Sequence, residues 1–127
     1  MEMTEEILKA AAKEHGHECP GLALGLRVSE IACEVFGWDK VPEDLTVTAD
    51  RPACYVDGIR FMTGCSPKDG RMTFRNDGKW AFVFSSEGRK VSVELKNRPN
   101  FAAGREAMME SVLYGDRDEL FNVSDLV

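Results

Sequence analysis

Residues 71–95, RMTFRNDGKWAFVFSSEGRKVSVEL, decide the fold class of this chain. Trp80, Phe82 and Phe84 recur at every second position, and so do Val91, Val93 and Leu95. Alternation of period two marks strands with one buried face. Asp77-Gly78 and Glu87-Gly88 punctuate the stretch. Such pairs signal tight hairpins, because glycine adopts the positive φ that two-residue turns require. The spacing predicts three strands, at 71–76, 79–85 and 90–96, joined as a meander. Upstream, Leu45, Val47 and Ala49 alternate with Thr46 and Thr48, which predicts a fourth strand ended by Arg51-Pro52.

Helical spacing surrounds these strands. Thr4 can cap a helix from Glu5 to about Glu14, with Glu5 and Glu6 in its positive first turn and Ile7, Leu8, Ala11 and Ala12 on one face. Pro20, favoured in the first helical position, opens a second helix that Gly37 ends. Gly21, Ala23 and Gly25 in its first turns suit the close approach of another backbone. Cys54–Thr63 reads as a third helix, with Val56, Ile59 and Met62 on one face and Gly64 as its stop. Phe101–Tyr114 reads as a last one, with Ala102, Met109, Val112 and Leu113 in the core. The order implies one α+β domain over residues 1–127 with a mostly antiparallel sheet.

Composition bounds the function. The chain has 127 residues, 43% hydrophobic and 30% charged, the balance of a globular domain. Its 22 acidic and 16 basic residues give a net charge of -6, which disfavours phosphate-backbone binding and so a nucleic-acid partner. No apolar run approaches the ~18 residues of a membrane span. The acidic N-terminus lacks a signal peptide's pattern, so the expected compartment is the cytoplasm. Thiols are reduced there, and four cysteines then point to metal or chemistry rather than disulfides.

The donors cluster in the sequence. His15, His17 and Cys19 lie in HGHECPG, and an extended loop would point all three the same way. Imidazole and thiolate are the preferred ligands of zinc and its neighbours. Cys54 starts a helix, where the dipole favours the thiolate as nucleophile or ligand. Cys65 follows Gly64 at that helix's end. Cys33, mid-helix beside Ile31 and Ala32, reads as a buried small hydrophobe. Asp57, one turn after Cys54, can be a ligand, a general base or an acceptor that orients a histidine. Lys68, Arg71, Lys79 and Arg60 are candidates to meet an anionic substrate.

HGHECPGLALGLR, then ACYVDGIRFMTGCS, then a hairpin on DGKWAFVF, resembles the E-subunit family of formylmethanofuran dehydrogenase. The resemblance spans roughly residues 5–95. It implies an α+β core that dimerises, with a metal near the His-Cys motif. It carries over His15, His17 and Cys19 from the first motif, Cys54 and Asp57 from the second, and Cys65 from the third. No cysteine follows Cys65, so the expectation is a core-only member without the family's cysteine-rich finger.

The sequence therefore predicts one transition-metal ion, zinc foremost with nickel or iron as alternatives. The ligands would come from His15, His17, Cys19, Cys54 and Cys65, with Cys54 and Asp57 carrying any catalysis. The expected role is a metal-dependent enzyme or subunit acting on a small molecule. The alternatives are a delivery protein in molybdenum or tungsten enzyme maturation and a structural metal site. Expected partners are subunits of such an enzyme and a second copy of the chain, because the second helix carries more apolar surface than one small sheet can cover.

Overall fold

The structure, a computed structural model, describes residues 5–96 and 104–126. Thr4, Phe101 and Ala102 lie outside the described residues. In chain order the elements are α1 Glu5–His15, α2 Pro20–Phe36, β1 Thr46–Ala49, α3 Cys54–Thr63, β2 Met72–Phe74, β3 Ala81–Ser86, β4 Arg89–Leu95, α4 Arg105–Tyr114, α5 Arg117–Leu120 and β5 Phe121–Leu126. The strands form one sheet in the order β2-β1-β3-β4-β5. Only β1 and β2 run parallel; the other pairs are antiparallel. The fold is α+β with a mostly antiparallel sheet.

The predicted meander holds only in part. Glu87-Gly88 closes a two-residue hairpin with Ser86 opposite Arg89, and both turn residues have positive φ. Asp77-Gly78 does not close one, because β1 lies between β2 and β3. The chain leaves β1, returns through α3 to β2 at the sheet edge, and must pass β1 again to start β3. Asp50 holds this crossing by accepting from the Gly78 N–H at 2.7 Å. Arg75 adds an ion pair to Asp77 at 2.8 Å and a bond to the Ala81 carbonyl at 2.6 Å.

Phe82, Phe84, Val91 and Val93 are buried with Val47, Ala49 and Met72 in the core that the helices cover. Helix α2 is the centre of that layer, and every residue from Leu22 to Ala32 is buried. It packs chiefly on α3 and α4, with α1 alongside. The chain thus covers α2 by itself, so the uncovered apolar patch that suggested a homodimer is absent among the described residues. Buried Arg27 ties the layer together, donating to the carbonyls of Val112, Leu113 and Gly115 at the end of α4.

Glycines set how closely α2 and α3 cross. A methyl group on Gly21 would fall 2.8 Å from Cys54 Cβ, and one on Gly58 would fall 2.6 Å from the Leu22 carbonyl oxygen. One on Gly25 would collide with the Tyr55 carbonyl. With these contacts open, the N-termini of the two helices meet, and each carries a cysteine.

Candidate metal centre

Cys19 is the N-cap of α2, and its Sγ accepts from the Leu22 N–H at 3.4 Å. Cys54 is the first residue of α3. The glycine crossing brings them side by side. The histidines arrive from α1. His15 is its last residue, and Gly16 then turns the chain at φ 106°, a region that favours glycine. The His15 and His17 rings stack with centroids 4.7 Å apart. The convergence expected from an extended loop is thus achieved by a helix end followed by a left-handed turn.

One donor atom from each of His15, His17, Cys19 and Cys54 lies within 4.8 Å of the others. His15 Nε2 is 3.7 Å from Cys19 Sγ. Zinc bound at about 2.3 Å to sulfur and about 2.05 Å to nitrogen gives a tetrahedral N···S edge of about 3.6 Å, so the pair has the spacing of two ligands on one ion. On its other side His15 Nδ1 meets Asp57 Oδ2 at 2.5 Å. A carboxylate on Nδ1 fixes the tautomer that leaves the Nε2 lone pair for a metal. The donor chemistry therefore fits zinc or a neighbouring transition metal. Cys19 is buried, His15 and Cys54 are half-buried, and His17 is exposed.

Two expectations need correction. Cys65 is not in the group. It lies beyond the far end of α3, fully buried, with Sγ bonded to the Leu45 carbonyl at 3.4 Å. Burial pushes its thiol pKa up, as it does for a thiol in an apolar core. The Cys54 thiol, placed at a helix start, is not acidic in the metal-free chain. Burial raises its pKa, and so do the hydrogen bond and charge of Cys19 and then the charge of Asp57.

The remaining candidates scatter. Cys33 is half-buried rather than buried and bonds weakly to the Trp38 carbonyl at 3.5 Å. Arg71 is held by Asp69 and the carbonyls of Glu43 and Gly64, while Arg60 and Lys68 are exposed. Lys79 alone of the four cations lines a cleft that also holds Cys54, together with Arg51, Tyr55, Trp80 and Phe82. Sequence reading did not single out those last four for the site. The Trp80-Phe82 alternation marked a buried strand face, and nothing local connects it to Cys54.

Fold and donors together define a small α+β domain with a His₂Cys₂ group at the meeting point of two helix N-termini. The chain belongs to the FmdE family, described as molybdenum formylmethanofuran dehydrogenase operon, whose profile matches residues 14–121. An Archaeoglobus fulgidus protein named "Probable S-adenosyl-L-methionine-binding protein" is 35% identical over 100 residues. The match covers 72% of this chain and 27% of that protein, so the chain spans about a quarter of the relative's length. A tungsten formylmethanofuran dehydrogenase FmdE-like protein from Syntrophus aciditrophicus has the same fold, with a TM-score of 0.75 and 17% identity, covering 96% of this chain and 71% of that one. No helix among the described residues is long and apolar enough to cross a membrane.

Proposed function

We propose that this chain holds one transition-metal ion, zinc foremost, through His15, His17, Cys19 and Cys54, and acts on a small molecule as an enzyme or as part of one. The convergence of four donors within 4.8 Å carries the reading. When bound, the ion supplies Lewis acidity. The protein's part is positional. Asp57 orients His15, and Cys19 and Cys54 are fixed at helix starts. His17, on the exposed loop, would hold the ion from its solvent side, where a small molecule could reach it. Cys54 borders both the donor group and the cleft, where a ligand would approach the ion.

The operon in the family description supports subunits of a molybdenum or tungsten enzyme as partners. The relative's name supports a small-molecule role, and a reducing cytoplasm keeps these thiols available as ligands. A second reading, delivery of the metal without turnover, is favoured by the same exposure of His17, since an accessible ligand speeds exchange.

The test is elemental analysis of tag-free protein, with zinc uptake measured after reduction. The expected result is about one ion per chain, lost in His17→Ala and in Cys54→Ala but kept in Cys33→Ala and Cys65→Ala. Protein that neither carries nor takes up metal defeats the reading. Rapid transfer of the ion to a competing chelator favours delivery, and slow transfer favours a resident catalytic ion.

A further inference from the structure

Two of the four donors are thiols, and their sulfurs lie within 4.8 Å of one another although they come from different helices. No side chain screens one from the other. A methyl group on Gly21, two residues after Cys19, would fall 2.8 Å from Cys54 Cβ and 3.8 Å from its Sγ. The glycine crossing of α2 and α3 thus lays one cysteine against the first turn that carries the other.

The pair is unequal in access. Cys54 is half-buried and lines a surface cleft, whereas Cys19 is 4% exposed. A small reagent meets Cys54 first, and Cys19 is the thiol placed to answer. The other two cysteines are outside the group. Cys65 is fully buried with its Sγ on the Leu45 carbonyl, and Cys33 lies near the far end of α2 with its Sγ on the Trp38 carbonyl.

We infer that Cys19 and Cys54 close a reversible disulfide that empties the metal centre, with a small-molecule disulfide as the oxidant. The inference names a regulation of the proposed metal site and rests on that reading. Closure brings the sulfurs to about 2.05 Å by turning both side chains about their Cα–Cβ bonds, while the crossing stays in place. The Cys54 thiolate attacks one sulfur of the small disulfide, whose S–S bond breaks and releases one thiolate. The Cys19 thiolate then attacks Cys54 Sγ and expels the second. The two protein thiols lose two electrons and two protons, and the small disulfide leaves as two thiols. His15 and His17 remain as the only donors, too few for a tetrahedral site. Excess small thiol reverses both steps.

The test equilibrates tag-free Cys33→Ala protein with reduced and oxidised glutathione at a buffered free zinc concentration. Non-reducing peptide mass spectrometry reads the bond, and a chromogenic chelator reads the zinc. A Cys19–Cys54 disulfide should form as zinc leaves, and dithiothreitol should restore uptake. The same sulfurs serve both fates, so zinc must oppose the bond. At fixed reduced glutathione, free zinc at ten times its Kd should raise the oxidised glutathione needed for half closure about tenfold. Cys19→Ser keeps a favoured cap residue on α2 and should stop at a glutathione adduct on Cys54. Cys54→Ser should leave buried Cys19 without an adduct. Closure that ignores zinc, or an adduct on Cys54 that Cys19 never resolves in the parent, overturns the inference. Protein that binds zinc yet forms no Cys19–Cys54 bond overturns the switch and leaves the metal reading intact. Protein that forms the bond but never takes up zinc overturns both.

Discussion

Gly58→Ala sets two effects of opposite sign against each other. Helix propensity alone favours alanine inside α3 by about 1 kcal/mol. The crossing opposes it. The new methyl group would lie 2.6 Å from the Leu22 oxygen, 2.8 Å from the Leu26 nitrogen and 3.0 Å from the Gly25 carbonyl carbon. All three are backbone atoms of buried α2, so no side chain can swing away. Restoring ordinary van der Waals distance means parting the helices by about 0.8 Å. Overpacking of this kind costs about 1–3 kcal/mol, and rigid obstacles place it at the upper end. The net expectation is a loss of about 2 kcal/mol. With an unfolding entropy of about 2.1 cal/mol/K per residue, that lowers Tm by roughly 7 °C. The parting also separates Cys19 from Cys54 by more than the ~0.5 Å a metal site tolerates, so zinc affinity should fall at least about tenfold. Scanning calorimetry of metal-free protein reads the first effect and chelator competition the second. A Tm equal to or above that of the parent would mean that propensity outweighs the crossing and that the glycine does not set the helix separation.

Asp57→Ala should weaken metal binding by about 10–100-fold while the metal-free protein stays folded, since its partner is the oriented face of His15; unchanged affinity in chelator competition would remove Asp57 from the site. Iodoacetamide footprinting should find Cys54 protected in metal-loaded protein. In chelated protein it should react more slowly than free cysteine at neutral pH, because its raised pKa lowers the thiolate fraction, and the rate should climb above pH 9. A chelated Cys54 faster than free cysteine would show that the helix dipole outweighs burial and Cys19. Asp44 accepts from Ser86 Oγ at 2.7 Å and the Glu87 N–H at 2.8 Å, and these bonds hold its carboxyl below the usual range. A depressed carboxylate stabilises the fold above the ordinary carboxylate pKa and loses that contribution as acid protonates it. The β3–β4 hairpin should therefore loosen below about pH 4 in the parent, and Asp44→Asn should show a flatter acid profile by amide exchange at Glu87.

Signals within a few residues were decided by the sequence alone. Pro20 and Gly37 bound α2, Cys54 and Gly64 bound α3, and Glu87-Gly88 makes its turn, because each depends on backbone preferences that neighbours scarcely alter. The candidate donors were legible in part for a related reason. Histidines and cysteines at or beside helix ends announce their chemistry by type, and the family motifs named these four together with Cys65. Cys65 carries the same chemistry, yet ten helical residues at 1.5 Å each set it about 15 Å from Cys54, where its sulfur serves the core. Only the folded chain decides such distances. It also decided that Asp77-Gly78 is a crossing and not a hairpin, because β1 takes the place beside β3 that local turn chemistry would give to β2. Strand β5 escaped sequence reading because only Phe121 and Val123 alternate before polar residues take over, and its pairing with β4 supplies what its own pattern lacks. The cleft lies further still from local signals. Arg51, Tyr55, Lys79 and Trp80 come from separate stretches, and the surface they share with Cys54 exists only once α3 has packed over the sheet.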